Sequence, residues 1–189
     1  SLLFTPPILM CLLFFTLLSL GSSGLTSFLI VALGQLHGME EKVATFALTA
    51  YLVASSVGVL LGGFIADRTT RHNLVAAVCF FSTAVLIAAI GAFLLPGALV
   101  VVLMVVQGLM HGAIMPSRDM IVRSVTPEGA FGKVFGFVTT GFSIGGSIAP
   151  TAFGWILDQS HPEWVFYGVA LIMLCSMATV FTSGRRPAS

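Results

Sequence analysis

Charge is the scarcest commodity in this chain. Asp, Glu, Lys and Arg together make up 8% of its 189 residues, against about 25% in soluble domains. Residues 43–66 and 72–117 contain none of the four. A water-soluble globule would have almost nothing polar to show solvent, and a cleaved signal peptide does not explain the deficit, because apolar segments recur to the C-terminus. There is no basic run and the net charge is only +1, so a nucleic-acid partner has no electrostatic footing. The three cysteines, Cys11, Cys79 and Cys175, sit apart inside apolar stretches without a CxxC spacing. That argues against a zinc site or disulfide framework and for small packed hydrophobes. HExxH, GxSxG and a phosphate-cradling glycine loop ending in lysine are all missing. Neither an enzyme nor a bound metal or cofactor is indicated. His37, His72 and His161 fall in connecting segments and read as solvated.

What the chain has in abundance is hydrocarbon: 57% hydrophobic residues and a mean hydropathy of +1.07. A transmembrane helix needs roughly 20 apolar residues, and charge, glycine and proline punctuate the sequence into six such segments. They run over about residues 7–33, 43–66, 73–94, 98–125, 132–157 and 163–183. Pro7 suits a first helical turn, and Pro96 stops the third segment. The apolar residues do not alternate in units of about ten, which argues against a membrane β-barrel. The fold class expected is all-α, a polytopic membrane protein of six spans forming one domain. With six spans, Arg68, Arg71, Arg118, Arg123, Lys133, Arg185 and Arg186 share one side and only Lys42 lies opposite. By the positive-inside rule that side, with both termini, is cytoplasmic.

Polar residues within the spans concentrate in the fourth. Positions 107, 111, 114 and 118 lie on one helical face, which carries Gln107, His111 and Arg118. Such groups usually face a bundle interior or a water-filled cavity, so the three are candidates for a solute path. The alternative is a buried polar seam, with Arg118 snorkelling to the headgroups. Asp119 and Arg123 have the favourable i, i+4 order for a local pair; the sharper expectation is that Asp119 receives Arg71 from the connection between the second and third spans. The fifth span holds Gly132/Gly136 and Gly141/Gly145, small-xxx-small pairs that permit close helix packing, with Gly146 and the bend-permitting Pro150. Gly21-Ser22-Ser23-Gly24 lies near the middle of the first span, where helices often line or break a path.

The knot of charge between the second and third spans, Gly63-x-x-x-Asp67-Arg68-x-x-Arg71, resembles the cytoplasmic loop signature of the major facilitator superfamily. Thr70 stands where that signature has glycine, and His72 replaces its second basic residue. Gln107-Gly108-x-x-x-Gly112-Ala113-x-x-Pro116 is similar to the fourth helix of a half of these proteins. Pro116 to Arg123, with Thr126-Pro127-Glu128 and Gly136-Phe137, looks like the tenth-to-eleventh-helix region. Gly154-Trp155-Ile156-Leu157-Asp158 looks like an eleventh-helix ending.

The resemblance covers essentially the whole chain and implies helices seven to twelve, the C-terminal half of a transporter. It implies secondary active transport of a small solute by two halves rocking about a central path, in a bacterial inner membrane. Gly63, Asp67, Arg68 and Arg71, with Asp119 and Arg123, would then form a conformational latch. Its Asp67 would meet a helix N-terminus of the missing N-terminal half, favourably by the helix dipole. Gly146-x-x-x-Pro150 does not match the antiporter signature of the family. Proton coupling is the family default. No carboxylate lies mid-span here, and His111, with an ordinary pKa of ~6.5, is the one titratable candidate. The contrasting expectation is a scaffold subunit that packs through the glycine-rich fifth span and moves nothing. A start at Ser1-Leu2-Leu3 suggests a fragment.

Overall fold

The structure is a computed structural model that describes residues 2–183. A short 3-10 turn, Leu2–Phe4, precedes six helices: α1 Pro6–His37, α2 Glu41–Arg68, α3 His72–Ala92, α4 Gly97–Val125, α5 Phe131–Asp158 and α6 Glu163–Ser183. Arg185 and Arg186 lie outside the described residues. At 1.5 Å per residue, the 21 residues of α3 reach roughly 32 Å, enough for a hydrocarbon core of about 30 Å. The longer helices project beyond it.

The boundaries follow local chemistry. Pro6 and Pro7 open α1, where a missing N–H leaves no intrahelical bond unmade. The helix runs past Gly34, its expected end, and stops at Gly38, whose φ of 60° and ψ of 27° close it in the left-handed conformation that glycine adopts without strain. Gly21-Ser22-Ser23-Gly24 does not interrupt α1. Gly21 faces Met173 and Ile172 of α6, and Gly24 takes the ring of Phe153 from α5, so these glycines admit neighbours rather than a break. Pro116 and Pro150 both sit inside continuous helices.

Helix α2 packs along α4, α1 along α5 and α6, and α3 joins the two groups by packing on α4 and α6. The closest approaches are made through glycine. A Cβ on Gly108 or Gly112 of α4 would strike the carbonyls of Tyr51 or Ser55, and one on Gly62 of α2 would lie 2.6 Å from Ala113 Cα. On the other side, a Cβ on Gly141 would lie 2.7 Å from the Leu12 carbonyl, and one on Gly145 would strike that of Thr16. Gly132 and Gly136 behave differently from expectation: nothing stands within 4 Å of a Cβ at either. Glycine spacing marks a helix as able to pack closely; it does not fix which turn meets a neighbour. Between the glycine seams the core is aromatic, with Phe14 and Phe80 edge to face at 5.6 Å and Phe153 buried beneath Gly24.

Five of the six helices are long and apolar enough to cross a membrane; α5 is the one below that level among the described residues.

Candidate functional site

Helix α4 carries the polar load of the bundle. Gln107 and His111, one turn apart, are enclosed at 1% and 5% exposure. The glycine seam explains why: Gly108 and Gly112 bring α2 into backbone contact, and with it Tyr51, whose ring lies 6.0 Å from that of His111. Gln107 Oε1, His111 Nδ1 and Ser117 Oγ are buried and have no hydrogen-bond partner among the described residues. Each unpaired polar atom costs about 1–3 kcal/mol, so packing stability is not what keeps three of them along one helix. Of the two arrangements expected for this face, a path lining or a buried polar seam, this bundle shows Gln107 and His111 buried. Both are enclosed against α2 in this bundle.

Arg118 is placed differently again. Its side chain, 11% exposed, pairs with Asp119, 44% exposed, with Nη2 at 2.7 Å and Nε donating to Oδ1 at 2.8 Å. The guanidinium lies 4.5 Å from the ring centroid of Phe15 on α1 and 5.2 Å from that of Phe142 on α5. Ser19 fastens the same two helices by donating to the Phe142 carbonyl at 2.7 Å. Arg118 thus ties α4 to α1 and α5 instead of reaching for headgroups. The expected partners of Asp119, Arg71 or Arg123, are displaced by its sequence neighbour, which comes within reach because both flank the same helical turn.

The charged connection between α2 and α3 is short, Thr69 to Arg71, and open. Asp67 and Arg71 are exposed and enter no ion pair among the described residues; Arg123 enters none either. Arg68 stacks over Phe64 at 3.9 Å, and the Arg71 amide donates to Thr69 Oγ1 at 3.2 Å. A Cβ on Gly63 would meet only open space.

The outer surface has two unlike sides. Helix α3 turns Leu74, Val78, Phe81 and Val85 outward, and α6 turns out Leu171 and Leu174, stripes suited to acyl chains. Helix α5 exposes Gly132, Gly136, Thr140, Ser143, Ser147 and Thr151, at spacings of four, four, three, four and four, beside the exposed Phe131, Ile144, Ile148 and Trp155. Sequence reasoning looked on α5 for glycine pairs and passed over the serine and threonine period; it also passed over Tyr51, the one tyrosine in the apolar run of α2. No group of His, Cys, Asp and Glu able to hold a metal occurs among the described residues.

Six long helices, five of them apolar enough to cross a membrane, with a polar interior on one, define a polytopic membrane protein. The chain matches the Major Facilitator Superfamily model over residues 11–189 and belongs to that family. This is a family of transporters rather than enzymes. Among solved structures, the chain is similar to the inward-open xylose transporter XylE from E. coli, with a TM-score of 0.71 and 17% identity. The match covers 93% of this chain and 47% of that one, so the chain spans about half the length of its structural relative. No curated protein sequence matches it.

Proposed function

We propose that this chain is one half of a secondary active transporter that moves a small solute by alternating access, with α1–α6 corresponding to helices seven to twelve. The observation that carries this reading is the α5 stripe. Glycine and hydroxyl groups from Gly132 to Thr151 are a poor face for lipid and a good one for a second six-helix half, in the same full-length chain or a partner, with a hydrated path between. The half-length match to XylE supports it. Orientation follows from Arg68, Arg71, Arg123 and Lys133, gathered at one end against Lys42 at the other; we assign that end to the cytoplasm of a bacterial inner membrane. There the exposed Asp67 is free to reach the other half and, with Gly63, Arg68 and Arg71, to act as a latch.

Gln107 and His111 serve in this reading as an enclosed coupling site beside Tyr51, reached when α2 and α4 part, with a proton as the coupling ion. Arg118, less fully enclosed, remains the path candidate. Uptake by the full-length protein, measured across about pH 5 to 8, tests the coupling role: His111→Ala flattens the pH profile. An unchanged profile sinks it. The same scan with thiol reagents on cysteines at Ser143 and Ser147 separates transport from a scaffold role. Water access in some state supports a path, and protection in every state supports a scaffold.

A further inference from the structure

His37, the last residue of α1, is half-buried and bonded through both ring nitrogens. Its Nε2 lies 3.0 Å from the carbonyl of Ile90, and its Nδ1 accepts a hydrogen bond from the amide of Leu95 at 3.4 Å. The two partners are chemically opposite. Ile90 is in the last turn of α3, where a carbonyl has no amide ahead of it within the helix. Leu95 lies in the connection to α4, just before Pro96, with no helix of its own to bond. One imidazole therefore satisfies an orphan acceptor and an orphan donor, which fixes it as the neutral tautomer with its proton on Nε2.

We propose that His37 is a proton-sensitive clasp between α1 and the α3–α4 connection, at the end of the bundle opposite the basic connections. A second proton can add only at Nδ1, where it removes the lone pair that Leu95 uses. The Ile90 bond survives, because a cation at a helix C-terminus is favoured. Protonation thus frees Leu95 and the start of α4 while α1 keeps its hold on α3. The direction is unambiguous: the clasp is complete when the imidazole is neutral and opens as pH falls. The charged groups at this end are Glu40, Glu41 and Lys42 at the start of α2, the exposed Asp158 at the end of α5, and Glu163 at the start of α6, which His161 pairs at 3.0 Å. Glu163 approaches the end of α3, since a Cβ on Gly91 would lie 3.4 Å from its carbonyl. The start of α4 adds no charge. His161 is the second titratable imidazole here and must be removed from any test.

In the full-length protein with native cysteines replaced and His161→Gln as background, spin labels at Gln35→Cys and Leu94→Cys report the clasp. A narrow distance distribution at about pH 8 and loss of that peak at about pH 5 are expected. His37→Gln keeps a donor and an acceptor but cannot titrate, so its distribution stays the same at both values. Nitrogen NMR of labelled histidine supplies a second readout at high pH, a signal for the Nε2–H tautomer that disappears in His37→Gln. A pH-independent distribution in the background protein, a pH response that persists in His37→Gln, or an Nδ1–H tautomer each overturns the proposal.

Discussion

Arg118 and Asp119 are bound to each other yet sit in unlike surroundings, and that difference predicts an asymmetry. The guanidinium is enclosed by Phe15 and Phe142 while the carboxylate is half open to solvent. Removing the carboxylate leaves a mostly buried cation without its acceptor, a class of change that costs about 3–5 kcal/mol in full burial. Asp119→Ala should approach the lower part of that range. Arg118→Met removes the cation, keeps much of the aromatic contact, and leaves Asp119 able to rehydrate; a cost of about 1 kcal/mol is expected. Thermal unfolding of the two variants in detergent checks the order, and equal losses would show that the Arg118–Asp119 pair contributes through shape alone. The pairing was not legible in the sequence. Position 119 has basic residues at one, four and many positions away, and only the rotamer set by neighbouring aromatic rings decides among them.

Among elements, the glycines of α4 and α5 make the corresponding contrast. Gly112 meets the Ser55 carbonyl, so Gly112→Ala forces α2 and α4 apart and is expected to cost about 1–3 kcal/mol. Gly136 meets nothing within this bundle, so in the six-helix chain alone Gly136→Ala gains up to about 1 kcal/mol of helix propensity. Melting curves of both variants test this, and a loss at Gly136 comparable to that at Gly112 would contradict the packing described. Six helices and their approximate ends could be read from apolar runs and proline positions, because hydrocarbon length and a missing N–H are local constraints. The partner of each glycine could not. Gly58, Gly62, Gly108 and Gly112 form the α2–α4 seam, yet in sequence they look no different from Gly132 and Gly136, since rotation of one helix against another is a property of the pair. His37 went unrecognised for the same reason: its two partners lie 53 and 58 residues away.

For the whole molecule, the two unlike sides of the bundle carry the argument. If α3 and α6 face lipid and α5 faces a second half, a quencher dissolved in the acyl chains will discriminate between them. A fluorophore on a cysteine at Val78 or Phe81 should be quenched both in the full-length protein and in this half expressed alone. At Ser143 or Ser147 it should be shielded in the full-length protein and quenched in the isolated half, where hydrocarbon is all that remains to cover the stripe. The shielding arises because a hydroxyl and glycine surface gains little from lipid and can approach another helix closely. Quenching at Ser143 and Ser147 equal to that at Val78 in the full-length protein would mean that α5 is a lipid-facing helix after all. The second half would then have to dock elsewhere, with the exposed hydroxyls of α2, Thr45, Thr49 and Ser56, as the surface left to receive it.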